Sequence, residues 1–104
     1  MKRAWVLLIS IVLACQSDPI ESPEPAAALG RCCAEARSRV ETVKDRETAQ
    51  FQKWCNACRK GDSKASCLSA AKNVLHATQN AFGEYGMPVS CSAMMQSLQE
   101  SGIH

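Results

Sequence analysis

Arg31 to Lys60 reads RCCAEARSRVETVKDRETAQFQKWCNACRK, with two cysteines near each end and no glycine or proline between them. Its apolar positions, counted from Leu29, are Leu29, Cys33, Ala36, Val40, Val43, Phe51, Trp54 and Cys58. They recur every three or four residues, apart from a gap at Glu47, and that is the period of a helix buried along one face. Gly61 follows as a stop, and Arg59 and Lys60 suit the negative end of a helix. The stretch admits two architectures. As one straight helix it sets Cys33 and Cys55 about 33 Å apart at 1.5 Å per residue, whereas a disulfide needs its Cα atoms within about 7 Å. As two helices it turns at Lys44-Asp45-Arg46, where Asp45 can cap a new helix and the apolar period lapses, and the two cysteine pairs then face each other.

Downstream, Asp62 or Ser63 supplies a capping oxygen for a second segment. Cys67, Leu68, Ala71, Val74, Leu75, Thr78, Ala81 and Phe82 keep the helical period there, up to Gly83. Gly86-Met87-Pro88 is a turn signal. A short helix then starts near Ser90, carries Cys91, Met94, Met95 and Leu98, and ends at Gly102. No stretch alternates with period two. The fold class is all-α, a small bundle of three or four helices over residues 26–104. A core this small contributes only a few kcal/mol of net stability and calls for staples.

Upstream, Ser17 to Gly30 holds three prolines and three acids. Such a stretch is semi-rigid and extended, and Gln16–Glu24 reads as a spacer, with Pro25 suited to a first helical turn. Before it stands a positive start, Lys2-Arg3, and the uncharged run Ala4–Ala14. That run rises about 16 Å as a helix, too short for a hydrocarbon core roughly 30 Å thick. It has the layout of a secretory signal peptide.

Leu13-Ala14-Cys15 closes that run, and residues 1–15 resemble the lipobox leader of bacterial lipoproteins. The resemblance implies cleavage after Ala14, a diacylglyceryl group on the Cys15 thiol and an acyl chain, palmitate or a relative, on the new amino terminus. It gives a signal peptide over 1–14, a lipidated cysteine and linker over 15–25, and a domain over 26–104. Several acyl chains make a lasting anchor. Gln16, where inner-membrane lipoproteins commonly carry Asp, favours the outer membrane of a bacterial envelope over the inner one. Lys2 and Arg3 account for the formal net charge of +2, so the chain from Cys15 onward is formally neutral and has no basic footprint for nucleic acid.

Seven cysteines are present. With Cys15 assigned to lipid, the even set Cys32, Cys33, Cys55, Cys58, Cys67 and Cys91 remains, in an exported chain where disulfides persist. A straight first helix leaves one cysteine unpaired at each end. A broken one lets Cys32 or Cys33 meet Cys55 or Cys58. In both, Cys67 pairs with Cys58 or Cys55, and Cys91 with Cys32 or Cys33. Adjacent helical residues point about 100° apart, so Cys32 and Cys33 can serve two neighbouring helices.

Candidate chemistry is sparse. Cys55-Asn56-Ala57-Cys58, beside Lys53, Arg59 and Lys60, has the spacing of a redox dithiol, but no strand supplies the βαβ setting of thioredoxin-like sites. Arg59 stands where a c-type haem motif has its histidine. His76 and His104 show no zinc-ligand spacing to the cysteines. Met87, Met94 and Met95, with Phe82 and Tyr85, form an adaptable apolar group suited to core filling or to a partner surface. No nucleophile–base arrangement and no phosphate-cradling glycine loop can be traced. The expectation is a non-enzymatic lipoprotein without catalytic residues, metal or cofactor beyond its covalent lipid, acting by contact with another envelope protein. A thiol–disulfide redox protein using Cys55 and Cys58 is the alternative, and a metal or small-ligand binder the third.

Overall fold

A computed structural model describes residues 18–39, 48–83 and 85–104. The expected leader, Cys15 and Gln16 lie outside these residues, as does the turn expected at Lys44-Asp45-Arg46 with Asp45 as a cap. Four helices occupy the described residues: α1 (Glu24–Arg39), α2 (Thr48–Cys55), α3 (Lys64–Phe82) and α4 (Val89–Glu100). None is long and apolar enough to cross a membrane.

Helix α1 opens with Glu24 at its positive end and Pro25 in its first turn, where a missing N–H costs nothing. Its buried residues, Pro25, Ala28, Leu29, Cys32, Cys33 and Ala36, form one stripe at helical spacing. Glu24 and Arg31 pair at 3.0 Å with both side chains more than half exposed, an arrangement that contributes little to stability. Helix α4 lies antiparallel against α1. Cys32 bonds to Cys91 at a Cα separation of 4.4 Å, while at the other end of the contact Arg39 Nη1 donates to the Gly86 carbonyl at 3.2 Å.

Of the two capping candidates, Ser63 caps α3: its hydroxyl accepts the Ser66 N–H at 3.1 Å. Asp62 instead accepts the Arg59 N–H at 3.0 Å and closes the turn before it. Helix α4 ends in a Schellman motif. Gly102 has φ of 80°, its N–H reaches the Gln99 carbonyl, and the Ile103 N–H reaches Leu98 at 2.9 Å. That turn folds Ile103 back over Leu98, and both are buried.

The single straight helix over 31–60 is excluded, because Cys33 and Cys55 are bonded with Cα atoms 6.1 Å apart. Cys58 bonds to Cys67 at 4.5 Å. Each neighbour of the Cys32–Cys33 pair thus serves a different helix. Cys32, Cys58, Cys67 and Cys91 are fully buried with Leu29, Val74, Met94 and Leu98, so the disulfides are part of the core.

The spacer expected over 16–24 is corrected at its described end. Ile20 is buried. Its N–H donates to the Asp62 carbonyl and its carbonyl accepts from Gly61, each at 2.8 Å, while Asp18 accepts the Lys64 N–H at 2.9 Å. Pro19 and Ser63 form an antiparallel bridge. The physical reason is that the first N–H groups of α3 have no intrahelical acceptor, and the Asp18 carbonyl supplies one. The domain therefore reaches back past residue 26, to Asp18.

Candidate functional site

The six domain cysteines bond only to one another. Cys55 and Cys58 have separate partners, Cys33 and Cys67, so the C-x-x-C spacing does not make a dithiol pair in this structure. The loop between them places Cys58 at φ of 67°, a left-handed conformation that costs a non-glycine residue about 1–2 kcal/mol. Its sulfur reaches the first turn of α3 from there.

His76 and His104 are both exposed, and the described residues include no group of three or more His, Cys, Asp or Glu side chains that could hold a metal. The C-terminal apolar group divides. Met94 is buried, Phe82, Met87 and Met95 pack half-buried against the core, and Tyr85 is fully exposed with Val89 largely so.

One concave site stands out. A groove of about 230 Å³ is lined by Ala36 and Arg37 of α1, Phe51 of α2, and Ala77, Thr78, Asn80, Ala81 and Phe82 of α3. Its floor is apolar because small residues at Ala77 and Ala81, one turn apart, leave room beside Phe51. The buried Thr78 hydroxyl donates to the Leu75 carbonyl at 2.8 Å, so the floor holds no unpaired polar side-chain atom. Two arginines stand over its aromatic rings. Arg37 lies 5.8 Å from the Phe51 centroid and Arg39 5.2 Å from that of Phe82, within the range of cation–π attraction. Arg37 has no carboxylate within ion-pair distance among the described residues.

Beside the groove, Glu35 joins α1 to α4. Pro88 stands at the N-cap of α4 and has no side-chain acceptor to offer. The Glu35 carboxylate supplies one from the neighbouring helix, accepting from the Ser90 hydroxyl and from the Ser90 N–H at 3.4 Å. The Ser90 hydroxyl chiefly, then the Ser90 and Val89 N–H groups, with a smaller pull from Arg39, hold the Glu35 carboxyl below its ordinary value against partial burial.

Of the residues singled out from sequence, the structure brings the six cysteines into three bonds and Phe82 to the groove. It leaves His76, His104 and Tyr85 in solvent. In the sequence Arg37 and Arg39 stand among interspersed acids and bases, and Phe51 is one position of the apolar stripe. Their juxtaposition depends on how α2 returns to α1, which no local pattern encodes.

No family model, curated protein or solved structure matches this chain.

Proposed function

We propose that this protein is a lipid-anchored, non-enzymatic contact module of a bacterial cell envelope, with the outer membrane favoured. Cys15 carries the diacylglyceryl and N-acyl chains, and the stapled domain engages another envelope protein. The observation that carries the reading is the closure of the cysteine set: six of the seven cysteines bond among themselves, which leaves Cys15 outside every intradomain bond and available for lipid.

The docking of residues 18–20 adds an orientation. Two residues, Gln16 and Ser17, separate Cys15 from Asp18, so three chain steps reach about 11 Å when fully extended. The anchor therefore holds the domain close to the lipid by the N-terminal end of α3, where Asp18 and Ile20 are fastened. The groove at Ala77–Phe82 lies about 20 Å or more further along the helix.

The test is Cys15→Ala with membrane fractionation and mass analysis of the mature amino terminus. Expected is an acylated Cys15 in the parent and release of the variant from the membrane fraction. A variant that sediments with membranes as the parent does, or a mature parent chain without lipid mass on Cys15, would overturn it.

A further inference from the structure

We infer that the groove between α1, α2 and α3 is a docking pocket for a single apolar side chain flanked by a carboxylate, presented by a partner protein. The inference rests on the contact-module reading above and gives that partner a chemistry.

Size sets the first condition. A cavity of about 150 Å³ admits a benzene ring, whereas pockets for whole small molecules run to about 300–1,000 Å³. At about 230 Å³ the groove takes one aromatic ring or branched aliphatic side chain. A pocket of one-residue size is how protein interfaces hold their anchors.

Charge sets the second. The floor consists of alanine methyls and two phenyl rings, and its one buried hydroxyl is satisfied within its own helix. Among the described residues the charge lies on the rim. Among the described residues Arg37 is held over Phe51 with no carboxylate at ion-pair distance, while Arg39 over Phe82 donates to the Gly86 carbonyl and lies in the more distant field of Glu35. A guanidinium can form paired hydrogen bonds with a carboxylate, and Arg37 is exposed at the rim. Asn80 on the same rim can meet a peptide group. The turn after Phe82 exposes Tyr85 completely, and tyrosine and arginine are the residues that interfaces favour.

The probes are acetylated, amidated tetrapeptides Gly-Glu-Phe-Gly, Gly-Gln-Phe-Gly and Gly-Glu-Ala-Gly, with phenylacetate alongside. They are titrated against the full lipidated chain in nanodiscs and followed by the amide resonances of Ala77, Asn80 and Ala81. The Glu-Phe peptide is expected to bind near millimolar Kd and to shift those three amides. The Gln-Phe peptide should bind about two- to fivefold more weakly, as befits an exposed ion pair, and the Glu-Ala peptide should not bind. Arg37→Gln, a surface change that spares the fold, should erase the difference between the Glu and Gln peptides. Equal binding of the two to the parent chain, shifts mapping elsewhere, or no shift would overturn the inference. Phenylacetate binding as tightly as the Glu-Phe peptide would also overturn it, in favour of a free small-molecule site.

A photo-cross-linker at Asn80, compared with one at the exposed Ala93 of α4, separates the two readings in native membranes. Cross-links at Ala93 with none at Asn80 would leave the contact module standing and remove the groove. Silence at both positions would remove the two together.

Discussion

Glu35 does for α4 what Pro88 cannot. The variant Glu35→Gln keeps an acceptor but removes the charge, so it isolates the electrostatic part of the cap. The carboxyl is held below its ordinary value of 4.5 in the folded chain, so near that value the folded state binds fewer protons than the unfolded one. Its contribution is therefore complete above 4.5 and is lost as the pH falls through the lowered folded value. The parent should melt above Glu35→Gln at neutral pH, and the two melting curves should converge as the pH is taken below the ordinary carboxylate range. Two glycines offer a paired measurement at the same scale. A Cβ on Gly86 would stand 2.4 Å from the Phe82 carbonyl oxygen, whereas one on Gly30 meets nothing within 4 Å. Gly86→Ala should destabilise by about 1–3 kcal/mol, the range for overpacking, and should loosen the Arg39 bond to residue 86. Gly30→Ala, in the open middle of α1, should stabilise by about 0.4–1 kcal/mol. Thermal unfolding of both variants checks the opposite signs.

At the scale of elements, the three disulfides differ in the chain they close. Cys32–Cys91 spans a separation of 59 residues and Cys58–Cys67 one of 9. The chain-entropy account assigns about 4 kcal/mol to the first and under 3 kcal/mol to the second. Replacing Cys58 also frees that position from its left-handed backbone, which offsets part of the loss. The Cys32→Ser, Cys91→Ser double variant should be largely unfolded at 37 °C. The Cys58→Ser, Cys67→Ser variant should retain a cooperative transition at lower temperature, and circular dichroism distinguishes the two. Much of this element scale was legible in the residues. The apolar period marked α3 and α4, Gly83 and Gly102 marked their ends, and parity with helical rise framed the cysteine pairing. What period alone could not decide was whether 31–60 is one helix or two, because an apolar stripe can continue across a turn. The clasp of Asp18–Ile20 was hidden for a different reason. It is made by backbone groups, and a proline-rich acidic stretch has no side-chain pattern that predicts backbone pairing with a distant helix start. The groove was hidden too, because Arg37 and Phe51 are neighbours only through tertiary structure.

For the whole molecule the clasp ties Asp18 and Ile20 to the start of α3, and so sets how the domain would sit on the proposed anchor. A chain cut to residues 26–104 removes the buried Ile20 and its two backbone bonds. Loss of a buried isoleucine side chain costs about 2–5 kcal/mol, so residues 18–104 should unfold at a clearly higher denaturant midpoint than residues 26–104. The chain with the proposed lipid supplies its own probe of orientation. Of two tryptophans, Trp5 falls within the proposed leader, and Trp54 lies in the last turn of α2, one short loop before the Gly61 turn that Ile20 grips. With the proposed lipid on Cys15, a reach of about 11 Å to Asp18 would hold that end of the domain near the headgroups. In proteoliposomes, lipids with a nitroxide at the headgroup should quench Trp54 more strongly than lipids with the nitroxide deep in the acyl chain. Inserting 20 Gly/Ser residues after Gln16 adds a flexible coil with a root-mean-square length of about 25 Å, while the clasp itself is untouched. The headgroup quenching should then fall towards that of the unlipidated Cys15→Ala chain. Equal quenching with and without the insertion would mean that the lipid, rather than the clasp, sets the distance, and the short-leash orientation would be wrong.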